Sequence, residues 1–189
     1  IFNIARRAIQ EKDSTFLISI AGESASGKTT LVKNTAKACI KSEKNDIYTI
    51  VCCDDYYKDA SKELQAAGSY ENLFESGFSF DTPDAIDLDL MKKHLIQLRE
   101  GKEIYSPLYN FVTCESKKDI VLKKPAKLIL NEGLYVLNEN VRDITDVKIY
   151  VYTPFEVIKD RWFARATSRG KTGLAAQMQF HDVNQTAFR

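Results

Sequence analysis

At 189 residues the chain has room for one domain, or one domain with a small lid, and its 44% hydrophobic content is enough for a sizeable core. A net charge of +1 argues against a nucleic-acid-binding surface spread over the whole protein, and no apolar stretch approaches a membrane span. The four cysteines, Cys39, Cys52, Cys53 and Cys114, lack C-x-x-C spacing, so neither a zinc site nor a disulfide framework is indicated, and they read as free thiols of a reducing cytosol.

The first clear element is the apolar run Phe16 to Ala21, which reads as a buried strand. Gly22-Glu23-Ser24-Ala25-Ser26-Gly27-Lys28-Thr29 follows it and matches G-x-x-x-x-G-K-[ST] at every fixed position. Thr30 to Ile40 then reads as a helix. Such a loop curls its N–H groups into a nest for phosphate oxygens, and the new helix adds its positive end. Gly22, Ser24, Ser26, Gly27, Lys28, Thr29 and Thr30 are therefore the candidate nucleotide-binding residues. Lys28 is expected to reach the β- and γ-phosphates, and the Thr29 hydroxyl to bind Mg2+.

Ile47 to Cys53 reads as a second buried strand. Ile86 to Leu98 carries apolar residues at helical spacing, with Thr82 as its expected cap, Pro83 in its first position and Gly101 at its end. Ile104 to Tyr109 and Ile120 to Leu122 are short strands outside this rhythm and suit a hairpin. Lys127 to Asn131 and Val147 to Tyr152 are further strands. The second leads into Thr153-Pro154-Phe155-Glu156, which has the form of a capping box. Alternating strands and helices imply an α/β fold with a mostly parallel sheet and helices on both faces.

A bound nucleotide is compatible with a small-molecule kinase, a GTPase switch or a mechanical ATPase. Neither Asn-Lys-x-Asp nor Asp-x-x-Gly of GTPases occurs, and a mechanical ATPase usually needs a longer chain. A kinase needs a base for the acceptor hydroxyl, an acceptor pocket and cations over the transferring group. Asp54 follows a strand, where ligands of open α/β sheets bind, and is the candidate base. Asp55 is beside it, and both could be solvated turn acids. Glu132 also follows a strand and could hold Mg2+ through water, or merely precede the Gly133 turn. Arg161, Arg165 and Arg169 recur every four residues and can form either a lid face or a solvated basic face. Tyr56, Tyr57, Tyr70, Phe74, Phe78, Phe80, Tyr105, Tyr109 and Phe111 crowd the middle of the chain, as core or as a wall for a stacking ligand.

From Phe16 to Phe188 the chain resembles the uridine–cytidine kinase family, within the group that includes phosphoribulokinase. Beyond the phosphate loop, the resemblance rests on Asp54-Asp55-Tyr56-Tyr57-Lys58-Asp59, Phe80-Asp81-Thr82-Pro83-Asp84-Ala85-Ile86-Asp87, Pro107 to Phe111, Leu130-Asn131-Glu132-Gly133 and Arg161 to Gly170. It implies a single kinase domain over residues 1–189, with an acceptor-site insertion at about 54–122 and a helical lid at about 161–173. It implies transfer of the γ-phosphoryl of ATP or GTP, with Mg2+, to the 5′-hydroxyl of a nucleoside. Asp54 would be the base, with Lys28, Arg165 and Arg169 as the other catalytic groups. Asp81, Tyr109, Cys114, Arg161 and Gln179 would meet the acceptor. A cytoplasmic homo-oligomer, with no nucleic-acid or membrane partner, is implied as well.

Three departures bear on the acceptor. Cys114 stands where the family has a histidine, Ser116 where it has an arginine, and Trp162 replaces an arginine beside Arg161. Another nucleoside, a sugar-like alcohol, or nucleotide sensing without catalysis are the other readings.

Overall fold

The computed structural model describes residues 1–11, 15–40 and 47–186. The last residues of the expected family match, 187–188, lie outside them. Strand β1 (Phe16–Gly22) is buried along its whole length, and its side chains alternate between two cores. Leu17 and Ala21 point into one, Ile18 and Ile20 into the other. This is how a continuous apolar run behaves in a sheet covered on both faces.

Three further strands lie parallel to β1: β2 (Tyr48–Cys52), β5 (Leu128–Glu132) and β6 (Val147–Val151), in the order β2-β5-β1-β6. Helices α1 (Phe2–Glu11) and α2 (Lys28–Ile40) cover one face. The opposite core holds Met91, Leu95 and Leu98 of α5 (Leu88–Arg99) and Val141 of the short α6 (Glu139–Arg142). The expected α/β class with a parallel sheet is the architecture found. Because every strand runs the same way, all four carboxyl ends meet at one edge, which becomes the floor of the site.

The segment between β2 and β5 supplies both the cover of that opposite face and part of the site wall. It contains α3 (Ser61–Ala67), α4 (Tyr70–Glu75), α5 and the expected hairpin, β3 (Ile104–Asn110) with β4 (Glu115–Lys123). The pairing register shifts between Ser106 and Leu108, at Pro107, which has no N–H to give to the ladder. Tyr57, Tyr109 and Phe111 form an aromatic cluster that fixes the hairpin to the sheet. Tyr57 and Tyr109 lie 5.1 Å apart between ring centres, as do Tyr109 and Phe111.

Helices α7 (Phe155–Ser168) and α8 (Gly173–Thr186) pack through a core of their own, Trp162, Ala166, Ala176 and Val183. Arg169, the last arginine of the stripe, lies one position past the end of α7 and caps it.

Two local expectations are corrected. Thr82 does not cap the helix before Leu98. Pro83–Ala85 forms a separate 3-10 turn, Ile86 is extended and bridges Tyr57, and α5 starts afresh with Asp87 accepting from the Leu90 N–H at 2.9 Å. The bridge to Tyr57 overrides the local helical tendency. Thr153 does not cap α7 either: its hydroxyl donates to the Ser26 carbonyl at 2.9 Å, tying the end of β6 to the phosphate loop.

Candidate active site

Strand parity decides where each carboxylate goes. Glu132 shares a sheet face with Leu128 and Leu130, which is the face that α2 covers. Its side chain therefore comes beneath the first turn of α2, where Glu132 Oε1 accepts from the Thr29 hydroxyl at 2.9 Å. Asp54 leaves β2 in a 3-10 turn, Cys53–Tyr56, and enters the cleft. Asp55, one residue on, is not in the cleft wall. Burial raises its carboxyl to about 6, and Lys123 pulls it the other way. This geometry separates the two acids that the sequence left together.

Two glycines make the floor possible through close approach. A Cβ on Gly22 would stand 2.6 Å from the Val151 carbonyl oxygen, and one on Gly133 would stand 2.1 Å from Cys53 Cβ. Lys28 is buried, and its Nζ donates to the Glu23 carbonyl at 2.8 Å. Burial lowers its pKa, while Asp54 and Glu132 draw it back up. Arg165 reaches from α7 to donate to the Ser24 hydroxyl, and burial lowers its pKa as well.

One cleft is lined by Lys28, Thr29, Asp54, Asp81, Glu132, Arg165 and Arg169, with Tyr57, Phe80, Tyr109, Phe111 and Trp162 as apolar walls. Arg169 Nη2 pairs with Asp54 Oδ2 at 2.9 Å, and its guanidinium lies 3.6 Å from the centre of the Phe111 ring. Gln179 Nε2 donates to Asp81 Oδ2 at 3.2 Å, and the Tyr135 hydroxyl donates to the Asp81 carbonyl at 2.6 Å. Burial pushes the Asp81 carboxyl up to about 6, against the Gln179 hydrogen bond. The Tyr109 hydroxyl is buried without a hydrogen-bond partner among the described residues.

Two expected acceptor residues lie elsewhere. Arg161 lines a neighbouring groove with Gly27, Thr30 and Asn34, on the outer side of the phosphate loop. Cys114 sits at the β3–β4 turn with φ +55°, buried outside the cleft wall, its thiol 3.2 Å from the Tyr70 hydroxyl. The side-chain direction there is set by the hairpin turn, whose carbonyl at Cys114 accepts from the Ala60 N–H at 3.0 Å.

Lys171 is a residue that sequence reasoning missed. It lies in the cleft, buried, with Nζ 4.5 Å from the Tyr70 ring centre and 5.0 Å from that of Phe80. It makes no ion pair among the described residues. Burial holds its ammonium down to about 8. Its signal was a lysine directly after the Arg169-Gly170 helix end, which reads as surface unless the fold is known.

The Thr29 hydroxyl and the Glu132 carboxylate are adjacent hard oxygen donors and fit Mg2+. Among the described residues no cluster of three or more His, Cys, Asp or Glu side chains suits a metal.

A phosphate-binding loop facing a carboxylate across one cleft, under an arginine-bearing helix, defines the molecule as a P-loop kinase. Residues 17–188 match the Phosphoribulokinase / Uridine kinase family. The uridine kinase of Borrelia turicatae is 37% identical over 158 residues, covering 82% of this chain and 70% of that protein. The uridine kinase of Brevibacillus brevis is 36% identical over 169 residues, covering 88% and 74%. A solved structure described as a possible uridine kinase from Bacillus stearothermophilus superposes with a TM-score of 0.61 at 16% identity, over 99% of this chain and 91% of that one. The chain belongs to the phosphoribulokinase/uridine kinase family. Among the described residues, no helix is long and apolar enough to cross a membrane.

Proposed function

We propose that the chain transfers the γ-phosphoryl of ATP or GTP, with Mg2+, to the 5′-hydroxyl of a nucleoside, uridine or cytidine first. The observation that carries this is that Asp54 and the Asp81–Gln179 pair line the same cleft as Lys28 and Thr29. A donor phosphate and an acceptor hydroxyl can meet there without further assembly.

Lys28 and the loop amides hold the donor phosphates, and Arg161 serves the donor side. Thr29 and Glu132 would hold Mg2+, which would supply charge neutralisation for the phosphates. Asp54 accepts the proton of the attacking hydroxyl. Arg165 and Arg169 stabilise charge on the transferring oxygens. Asp81, oriented by Gln179, accepts hydrogen bonds from sugar hydroxyls, and the aromatic wall receives the base. We assign residues 54–122 to the acceptor side and 161–173 to the lid of one kinase domain. The homologous uridine kinases support this choice of acceptor.

A sugar-like alcohol is the second reading. It is favoured by the burial of Cys114 outside the cleft wall, which leaves no imidazole-like group at the family's base-reading position. ADP release measured with ATP and uridine, cytidine, a purine nucleoside or glycerol separates the two. Nucleoside-dependent release is expected. Tight ATP binding with no ADP release on addition of any acceptor would indicate a nucleotide-binding sensor.

A further inference from the structure

Glu132 has a second hydrogen-bond donor. Cys52 is its register partner across the β2–β5 pairing, so both side chains leave the sheet on the same face. Cys52 Sγ donates to Glu132 Oε1 at 3.4 Å, an ordinary S–H···O length. The same oxygen accepts from the Thr29 hydroxyl. A carboxylate oxygen has two lone pairs, and both are engaged here. Turning the carboxylate would break both bonds at once. The thiol thus pins Oε1 from the strand side, as Thr29 does from the helix side.

We infer that Cys52 is a positioning residue, whose thiol fixes the Glu132 carboxylate in the orientation that meets a Thr29-bound divalent cation. The inference rests on the proposed cation role of Thr29 and Glu132. Partners that orient a ligating group set metal affinity as well as activity. A weak donor suits this role, because it restrains the carboxylate while withdrawing little of its charge.

The test uses Mn2+ as the probe, with its affinity read by electron paramagnetic resonance on protein saturated with a non-hydrolysable ATP analogue. Variants are Cys52→Ser, Cys52→Val, Glu132→Gln and the Cys52→Val/Glu132→Gln pair. Cys52→Val keeps an apolar side chain in the strand and removes the donor, and its Mn2+ affinity should fall about tenfold. Cys52→Ser keeps a donor and should stay within about threefold of wild type. The pair should lose no more than Glu132→Gln alone, because the thiol acts through that carboxylate. Thermal unfolding of each variant reports packing separately. If Cys52→Val binds Mn2+ like wild type while Glu132→Gln binds weakly, the inference is wrong and the cation role stands. If Glu132→Gln also binds like wild type, the cation role itself is wrong. A purely structural thiol predicts that Cys52→Val outperforms Cys52→Ser, which would equally overturn it.

Discussion

Arg169 Nη2 and Asp54 Oδ2 stand 2.9 Å apart, so the residue that ends α7 is ion-paired with the proposed base in the cleft. Each is about a quarter exposed, at 25% and 29% of the side chain, so water screens the pair and its value for stability is small. In the proposed reaction, an acceptor hydroxyl would approach a carboxylate of which one oxygen is already held by the guanidinium.

Asp54→Asn should therefore lower kcat by about 10²–10⁴-fold with little change in ATP affinity, since the loss falls on proton transfer. Asp55→Asn should leave kcat near wild type, because Asp55 lies outside the cleft wall beside Lys123. Steady-state kinetics of both variants check this. The reverse ranking would assign the base to Asp55.

Lys28→Ala should cost about 10²-fold or more in kcat/KM through loss of a cation at the β/γ-phosphates. Stability should hold or rise, because burial disfavours this ammonium. Thermal unfolding and kinetics on one preparation distinguish a lost ligand contact from a lost fold.

Asp81 governs an acid limb. Burial raises its carboxyl to about 6, so lowering pH from 7 to 5 protonates it and removes an acceptor for sugar hydroxyls. Acceptor kcat/KM should fall across that range while the ATP KM changes little. The stability sign is opposite: between about 4 and 6 the folded chain holds a proton that the unfolded chain has lost, so this residue's contribution declines as pH rises through that window. Asp81→Asn should be more stable than wild type above pH 6 and should weaken the acceptor.

Lys171 sets a contrary trade. Its ammonium is buried on two rings and held down to about 8, so between about 8 and 10.5 the unfolded chain binds a proton that the folded chain does not, and stability rises with pH. Lys171→Met should gain about 1–3 kcal/mol at pH 7, a gain that shrinks toward pH 10.5. It should also raise the acceptor KM. Thermal unfolding at pH 7 and pH 10, with acceptor titrations, reads both effects.

The strands and the phosphate loop were legible because local chemistry decides them. Phe16 to Ala21 is apolar at every position but Ser19, and the glycines and Lys28 that follow have no comparable role in an ordinary turn. The hairpin was legible by its break in the strand–helix rhythm. What the chain did not reveal was the direction of side chains set by distant contacts. Asp87 caps α5 because Tyr57 bridges Ile86, and Thr153 turns to Ser26 because β6 ends beside the loop. Cys114, expected to meet the acceptor, turns into the interior, and Lys171 looks like surface but faces the cleft. The hairpin turn that directs Cys114 is held by the distant Ala60 N–H, and the direction of Lys171 depends on how α7 and α8 pack over the cleft.

Phosphorus NMR of the product formed from ATP, Mg2+ and uridine decides whether this cleft phosphorylates a nucleoside at its 5′-hydroxyl. The expected result is a new monophosphate signal coupled to the two 5′-methylene protons of uridine, appearing in step with ADP and about a hundredfold or more slower for Asp54→Asn. Inorganic phosphate as the only new species besides ADP, or a phosphate carried by a sugar-like alcohol in preference to any nucleoside, would contradict it.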